Sequence, residues 1–287
     1  YDAAMVVLDA LQDIPAPKMT LSLAEQRTQI RDNLWRLSSL DKSVEGVTGS
    51  IYFDEHNDAV KSIPIGVYKN GKPIPALYQY QPLSDLKSID NLLQEVLDNQ
   101  IVTMNGKFMR RAQVVYAGLD FNEISELDTK TASFSTDFYI WFRYQGTFDD
   151  SNIEFVNILN PKDNSLGKPL IDRVSQVEAG VTTKTYRIKT KFKGEFDFHD
   201  YPLDQQLLPV KFRHSSLTRD KLIYVIDTIG MNQQLDRASV ISQLEKKKVF
   251  EVGGWRINQL SFFQDTKKND STLGIPELFG SQQRIEY

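Results

Sequence analysis

The side chains that most often perform catalysis are few in this chain, and their spacing matches no catalytic motif that we recognise. There are three histidines, His56, His199 and His214. None of them belongs to a metal-binding pair such as His-Glu-x-x-His, and the chain has neither a glycine-rich phosphate loop nor a serine nucleophile elbow. The histidine pattern therefore gives no support to an enzyme.

Two pairs of carboxylates have a spacing that general acid–base chemistry could use. They are Asp200 with Asp204 and Glu126 with Asp128. Acid–base catalysis needs a carboxyl group whose pKa is shifted by burial or by a neighbouring charge, whereas both pairs stand in polar turns where water solvates them. We therefore predict that the protein is not an enzyme and has no catalytic residue.

A metal site is the other chemistry to weigh, at the short acidic segment around His56. Asp54, His56 and Asp58 alternate as the first ligands of a calcium loop would. The segment lacks the glycine and the distal glutamate that complete such a loop, so a solvated turn is the better interpretation. The chain also has no cysteine, which excludes thiolate ligands and disulfides. We predict no metal and no cofactor.

Binding, in contrast, is indicated by two large aromatic side chains on a polar row. Between residues 133 and 143, apolar residues alternate with polar ones, as in a strand with one buried face. Tyr139 and Trp141 fall on the polar row of that strand, beside Arg143. Two aromatics on a polar face indicate a contact surface. Packing beneath a neighbouring loop or against another lobe of the protein explains them equally well, and both accounts stay open.

A proline-bearing stretch, Gly194–Leu208, separates two alternating segments. Phe196 and Phe198 alternate with polar residues at its start, and the alternation resumes after it. Tyr201 and Pro202 interrupt the pattern, because proline has no N–H to donate to a neighbouring strand. The stretch is therefore predicted to be a tight loop that joins two strands.

Composition and charge limit the class of protein. The chain has 287 residues, of which 40% are hydrophobic and 25% charged, as in an ordinary globular protein. A net charge of −4 gives no basic field for nucleic acid. No window approaches 18 uncharged apolar residues, so we expect a soluble chain. Because it begins with Tyr1, without Met or a leader, we expect a piece of a longer protein.

The elements that must position these side chains change in type along the chain. Residues 1–83 are predicted to be α/β, with these elements: a helix over Tyr1–Gln12, a helix from a capping box at Ser22 to Leu37, a strand over Ser50–Phe53, and a hairpin around Asn70-Gly71. Residues 84–112 are predicted to be a helical connector, because leucine, isoleucine and valine recur there on one helical face.

From residue 113 onward the pattern is that of an all-β domain. Many short alternating segments with turns between them, and without helical crossovers, favour an antiparallel sandwich. A strand is expected from Trp255 to about Phe263 and a last one over 283–287, whereas the polar segment 230–248 holds a helical turn around 240–244. The fold predicted for the whole chain is α+β.

Residues 1–83 resemble the C-terminal end of bacterial periplasmic amino-acid-binding proteins of the Leu/Ile/Val type. The resemblance is carried by Tyr1-Asp-Ala before a helix, by Ile30-Arg-Asp-Asn-Leu34, by Gly46-Val-Thr-Gly-Ser-Ile-Tyr-Phe-Asp54 and by Val67-Tyr-Lys-Asn-Gly-Lys72. It covers only the tail of that α/β fold. Most ligand contacts of that family would lie upstream, so no ligand residue is transferred.

Residues 113–287 resemble the extracellular domain of pentameric ligand-gated ion channels, the Cys-loop receptor superfamily, in its bacterial form. Tyr201-Pro-Leu-Asp-Gln-Gln206 matches that family's aromatic–Pro–aromatic–Asp-x-Gln loop, with Leu203 replacing the second aromatic. Val114–Ile124 and Phe134–Arg143 resemble its first two strands. The cysteines that close this loop in animal receptors fall on Gly194 and Leu208, so the disulfide is absent, as in bacterial members. The resemblance implies an immunoglobulin-like β-sandwich.

The resemblance also implies an agonist pocket between neighbouring subunits, lined by aromatics that attract ammonium groups. Tyr139 corresponds to the aromatic of the second strand, with Trp141 one outward step along. The loop after Phe212 should supply a tryptophan, but this chain has His214 and Ser215 there. The segment that should cap the pocket begins after Phe262 and Phe263. These aromatics and His214 form the expected ligand site.

In that family the proline loop and the turn between the first two strands rest on the membrane domain and transmit movement to it. Here the corresponding residues are Tyr201, Pro202, Leu203 and Asp204 in the loop, with Glu126 and Asp128 in the turn, and Arg284 as a partner for Asp204. We expect these residues to couple ligand binding to gating.

Together these resemblances predict the ligand-sensing part of a bacterial channel subunit, with the pore in a transmembrane domain outside this chain. They imply a small agonist of amino-acid or amine type, a homopentamer at full length, and a location on the periplasmic side of the inner membrane. The alternative is a solute-binding sensor without channel activity, in which residues 1–83 take part in recognition.

Overall fold

A computed structural model describes the chain over the following residues: 1–12, 22–38, 42–47, 49–59, 64–69, 71–83, 86, 89, 91–104, 106–178, 180–200, 204–231, 237–250, 252–264, 266–268 and 284–286. The chain divides into two compact units. The N-terminal unit comprises Tyr1–Ile65, Gln79–Ala112 and Lys268–Gln283, and the sandwich unit comprises Gly66–Tyr78, Gln113–Lys267 and Arg284–Tyr287. The hairpin thus groups with the sandwich, although it lies early in the sequence.

The N-terminal unit begins with two helices and two short strands, α1 (Asp2–Gln12), α2 (Leu23–Trp35), β1 (Val44–Gly46) and β2 (Gly49–Ile51). The predicted capping box starts α2: the Ser22 hydroxyl accepts the Glu25 amide at 3.3 Å, and the Glu25 carboxylate accepts the Ser22 amide at 2.7 Å. Val6 on α1 packs with Leu37, Val44 and Ile51 in a small core. Both helices therefore agree with the sequence prediction.

The hairpin is β3 (Gly66–Lys69) and β4 (Lys72–Pro75), and it is followed by β5 (Tyr78–Pro82), α3 (Leu92–Leu97) and β6 (Ile101–Met104). Gly71 has a φ of +75°, the left-handed conformation that the Asn-Gly turn requires. The connector is less helical than its apolar pattern predicts, because α3 has only six residues. Leu93 and Leu97 are exposed there, so this helix is too short to bury its apolar face.

The sandwich unit contains the long strands. The elements from residue 107 onward are β7 (Lys107–Asp128), β8 (Ser133–Gln145), β9 (Ile153–Phe155), β10 (Ile171–Val174), β11 (Val181–Lys193), β12 (Phe212–His214), β13 (Leu222–Ile226), α4 (Arg237–Lys246), β14 (Thr266–Lys268) and β15 (Arg284–Glu286). The first residues of β7, up to Ala112, and the last of β14 are assigned to the N-terminal unit. The main sheet has the order β10–β11–β8–β7–β13, with β5 and β6 also paired to β7. The pairs β10–β11, β11–β8, β8–β7 and β6–β7 are antiparallel, whereas β13 pairs with β7 in parallel.

A core of aromatic side chains lies between the main sheet and the two-stranded sheet of β9 and β12. Phe138 meets Phe155 edge-on at 6.0 Å, and Phe142 meets Phe212 in the same way at 5.8 Å. Alternating apolar residues of three strands lie in this core: Val115 and Ala117 on β7, Phe134, Phe138, Ile140 and Phe142 on β8, and Tyr186, Ile188 and Phe192 on β11. The arrangement is mixed α+β, mostly antiparallel and compatible with a sandwich.

Two segments differ from the sequence prediction. Residues 252–264 have no strand, although Trp255 to Phe263 was expected to form one; the alternation there finds no partner strand in the described part of the chain. The helical turn expected around 240–244 is longer and extends over Arg237–Lys246. Among the described residues, no helix is both long and apolar enough to cross a membrane.

Candidate functional site

The polar row of β8 lies on the face of the main sheet opposite the aromatic core, which we call the outer face. It carries Tyr139, Trp141 and Arg143, each partly exposed, while their neighbours on β8 are buried. Trp141 lies opposite Gly118 of β7, and its ring covers that glycine so closely that a Cβ there would be 2.3 Å from the ring. The Trp141 side chain is thus packed flat against the sheet.

Asp227 anchors this row, although it comes from a distant part of the sequence. It directly follows β13 and is 1% exposed. Its carboxylate accepts the Trp141 indole N–H at 3.0 Å, the Arg143 Nη2 at 2.8 Å and the Gly230 amide at 3.1 Å. A buried carboxylate needs several donors, because burying an uncompensated charge costs on the order of several kcal/mol.

The charges around Asp227 continue in a line that we call the charge chain: Lys69, Glu178, Arg143 and Asp227. Arg143 Nη1 donates to Glu178 at 3.1 Å, and Glu178 pairs with Lys69 of the hairpin. Burial, and then the nearby Arg143, lower the pKa of Lys69. The Arg143 guanidinium also lies 4.8 Å from the ring centre of Tyr116, a cation–π contact.

Tyr139 has a guanidinium over its ring as well. The Cζ of Arg187, on β11, lies 5.8 Å from the ring centre. Arg187 donates two hydrogen bonds to the buried Asp137, at 3.0 and 2.7 Å, and these bonds hold the pKa of Asp137 below its ordinary value. Arg187 remains half exposed, so the exposed group beside Tyr139 is a cation.

The other predicted ligand residues do not join this face. His214 is 2% exposed and lies on the core side, with its ring 6.3 Å from that of Phe148. Its Nδ1 accepts the amides of Ser216 and Leu217 at 3.2 and 3.1 Å, so the Nε2 proton is donated to the Asp149 carbonyl at 3.1 Å. Burial lowers the pKa of His214. The ring is therefore a neutral internal link.

Phe262 and Phe263 lie in the irregular segment 252–264. Phe262 is partly buried, whereas Phe263 is 65% exposed. Neither ring is in contact with an aromatic or cationic side chain among the described residues. Their assignment to a ligand site remains a prediction from the resemblance.

The loop Gly194–Leu208 is closed by backbone and amide hydrogen bonds in place of a disulfide. Glu195 and Leu207 exchange two main-chain hydrogen bonds, of 2.9 and 3.1 Å. The Gln206 side-chain amide accepts the Asp197 N–H at 2.6 Å and donates to the Asp197 carbonyl at 2.7 Å. It also donates to Asp204. Tyr201, Pro202 and Leu203 lie outside the described residues.

Asn157 fixes the two arms of this loop to each other. Its Nδ2 donates to the carbonyls of Lys193 and Pro209, both at 2.8 Å, and its Oδ1 accepts the Lys211 amide at 3.0 Å. One side chain thus holds the chain where it enters the loop and where it leaves. No pattern in the sequence marks Asn157 for this role, because its partners are 36 to 54 residues away.

The turn between β7 and β8 lies beside the loop. The Gly194 amide donates to the Ala132 carbonyl at 2.7 Å. Glu126 and Asp128 were predicted in this turn, but both lie at the end of β7, where its register with β8 shifts. The hydrogen bond from Lys191, at 2.8 Å, is the main cause of the lowered pKa of Glu126, and the one from Ser135, at 2.7 Å, is the second. The Asp128 carboxylate accepts the Thr131 hydroxyl at 2.8 Å, which is the main reason its pKa is lowered. For Arg284 only the main chain is described, in β15, so its pairing with Asp204 remains a prediction.

The pairing of β8 with β11 connects the two groups of candidate residues. It runs without a break from Ser133–Lys193, next to the loop, to Gln145–Val181. Trp141 is eight residues along β8 from Ser133, which is about 27 Å at 3.4 Å per residue. The outer face and the loop therefore lie at different points along one continuous pair of strands.

In the described part of the chain, no group of three or more histidine, aspartate or glutamate side chains is arranged to hold a metal ion. Asp54 instead accepts the amides of His56 and Asp58, at 3.0 and 2.9 Å, and pairs with Lys107. No protein-family model and no curated protein matches the chain.

Proposed function

We propose that this chain is the ligand-sensing extracellular part of a bacterial pentameric ligand-gated ion channel, and that it couples small-molecule binding to a pore elsewhere in the full-length protein. One observation carries the proposal. The proline-bearing loop joins the β7–β8 turn at one end of the β8–β11 pairing, and the outer face of the same two strands carries Tyr139 and Trp141. A receptor needs both parts on one rigid element.

The finer fold assignments belong to the same proposal. The sandwich unit is taken as immunoglobulin-like, and residues 1–83 as the C-terminal part of a Leu/Ile/Val-type periplasmic binding protein. The capping box, the second helix and the Asn-Gly hairpin support the second assignment only as local features. The full-length subunit would form a homopentamer in the inner membrane, with this part on the periplasmic side.

Of the two ligand classes, an amino acid fits the outer face better than a simple amine. The ring of Tyr139 already has the Arg187 guanidinium over it, so an ammonium group would meet a cation there. Arg187 is half exposed, and Lys189 next to it on the same row of β11 is exposed. These two cations can receive a carboxylate, which an amino acid has and an amine lacks.

Calorimetry of the 287-residue chain tests the ligand site. The twenty amino acids and the amines obtained by removing their carboxyl groups form the panel. We expect an amino acid to bind and its amine to bind at least tenfold more weakly. Tyr139→Leu and Lys189→Gln should weaken binding, whereas Lys162→Gln, at an exposed position of another turn, should not. Unchanged binding in both variants would exclude the outer face as the site.

Electrophysiology of the full-length subunit tests the coupling. Asp204→Lys should shift the ligand concentration for half-maximal current about fivefold, because a half-exposed interfacial pair is worth about 1 kcal/mol. Asp200→Lys, at an exposed position of the same loop, is the matched control. Ligand binding without any current would favour the alternative, a solute-binding sensor without channel activity.

A further inference from the structure

The hairpin β3–β4 is fastened to the sandwich at one end of the main sheet. The Val114 amide donates to the Leu77 carbonyl at 2.9 Å, just after β4. The Tyr78 hydroxyl donates to the Gln145 carbonyl at 3.1 Å, and the Tyr116 hydroxyl donates to the Pro75 carbonyl. All of these residues belong to the sandwich unit. The hairpin is therefore an integral part of this unit.

Both ends of the hairpin continue along the chain into the N-terminal unit, and the ends are tied to each other. The Gln79 side chain accepts the Ile65 amide and donates to the Ile65 carbonyl, both at 2.7 Å. Gln79 is 6% exposed, so these bonds are shielded from water. Because the two arms are joined at this point, a displacement of either arm is transmitted to the hairpin as a whole.

The hairpin reaches the outer face through the charge chain. The exposed fraction of the side chains falls along it, from 35% for Lys69 and 28% for Glu178 to 16% for Arg143 and 2% for Asp227. Electrostatic interactions gain strength in this direction, because water screens buried charges less. Arg143 is shared by two carboxylates, so the charge on Glu178 affects how strongly Arg143 binds Asp227.

We infer that the hairpin regulates the outer face: Lys69 neutralises Glu178, which leaves Arg143 on Asp227 and thereby sets how strongly Asp227 accepts the Trp141 indole N–H. When Lys69 is withdrawn, Glu178 attracts Arg143, and the buried Asp227 loses part of its compensation. The carboxylate then depends more strongly on its other donors, so the hydrogen bond from the Trp141 indole changes. The role of the outer face as a ligand site rests on the proposed function, but the linkage between the hairpin and Trp141 does not. By linkage, a ligand on the outer face changes the hairpin by the same free energy.

The indole N–H signals of the intact chain report this linkage directly. The protein has three tryptophans, Trp35, Trp141 and Trp255, so nitrogen–proton correlation spectra show three indole peaks, and Trp141→Phe assigns the one of interest. We expect Lys69→Met to displace the Trp141 peak and to leave the other two in place. The control is Lys72→Met, because Lys72 faces Lys69 across the hairpin and is exposed.

A second pair of variants keeps the test decisive. Glu178→Gln should displace the Trp141 peak as well, even if Lys69→Met fails to fold, and Asp227→Asn should displace it most. An unmoved peak in Lys69→Met and Glu178→Gln would overturn the inference, as would an unmoved peak in Asp227→Asn. None of these spectra needs ligand or current. A displaced peak in a protein that passes no ions would refute the proposed function and leave the linkage standing.

Discussion

The outer face and the loop Gly194–Leu208 are held in opposite ways. At the outer face one buried carboxylate, Asp227, is compensated by a cation, an indole N–H and a main-chain amide. The loop is closed by neutral hydrogen bonds of Glu195, Leu207, Gln206 and Asn157, most of them near water. When one partner is lost, the buried charge is left partly uncompensated. Neutral hydrogen bonds, in contrast, can be lost one at a time without affecting the others. We therefore expect single substitutions to have larger effects at Asp227.

Removal of the Asp227 carboxylate should have the largest effect. Asp227→Ala leaves the Arg143 guanidinium without its most buried partner, and breaking a buried ion pair from one side costs about 3–5 kcal/mol. We expect this loss in the free energy of unfolding, measured by urea denaturation followed by circular dichroism.

The matched control for Asp227 is an exposed aspartate of the same sheet. Asp120 pairs with Lys247 at 3.2 Å, and both side chains are about half exposed. Asp120→Ala should change the free energy of unfolding by less than about 1 kcal/mol, as is usual for surface pairs. Equal losses in the two variants would contradict the distinction between buried and exposed charges on this face.

The same contrast explains which features the sequence reveals. The alternating rows of β8 and β11 were predictable, because a period of two depends only on neighbouring residues. The inward row of Phe138 and the outward row of Tyr139 on β8 are confirmed, and β11 shows the same alternation around Ile188. The capping box at Ser22 was predictable for the same reason, since all of its atoms lie within four residues.

The features that escaped prediction depend on contacts between distant residues. Asp227 and Arg143 are 84 residues apart, and nothing in either local pattern pairs them. The parallel pairing of β13 with β7 is also a tertiary contact. Conversely, the segment 255–263 alternates like a strand but has no described partner, and alternation alone does not make a sheet. The sequence left open whether Trp141 is a contact surface or is packed within the chain, and its indole N–H is hydrogen-bonded to Asp227.

Adding a methyl group at Gly118 tests how tightly Trp141 is packed on the outer face, without removing a charge. The added Cβ in Gly118→Ala would lie 2.3 Å from the Trp141 ring, so the indole must shift, which disturbs its hydrogen bond to Asp227. Overpacking of this kind costs about 1–3 kcal/mol. Thermal unfolding measures it, and Gly253→Ala is the control, because nothing lies within 4 Å of a Cβ there. Equal melting temperatures of the two variants would show that the Trp141 ring does not pack closely against Gly118.

A smaller effect is expected when the loop loses its side-chain amide. Gln206→Leu removes both hydrogen bonds to the Asp197 main chain, and neutral hydrogen bonds near water are worth about 1 kcal/mol. Hydrogen exchange of the Asp197 amide should therefore be several-fold faster, with little change in global stability. Gln205→Leu, at the exposed neighbouring position, is the control. A loss of stability as large as that in Asp227→Ala would mean that the loop is not held by separate weak bonds.

The smallest effect is expected at His214. Its ring is buried like the Asp227 carboxylate, but the ring is neutral, whereas the carboxylate is charged. Burial lowers its pKa below the ordinary value of 6.5, so the unfolded chain binds the proton more readily than the folded chain. The stabilisation is complete above pH 6.5 and is lost as the pH falls through the lower pKa of the folded state. In His214→Asn the amide oxygen can still accept the Ser216 and Leu217 amides, but no proton is taken up.

The melting temperature of the wild type should therefore fall more steeply below pH 6.5 than that of His214→Asn, whatever their difference at pH 8. His199→Gln is the control, because His199 is exposed. The melting temperature of this variant should depend on pH in the same way as that of the wild type. Parallel profiles for wild type and His214→Asn would show that the ring is protonated in the folded state. His214 would then carry a second buried charge. The contrast between a charged outer face and a neutral interior would no longer hold.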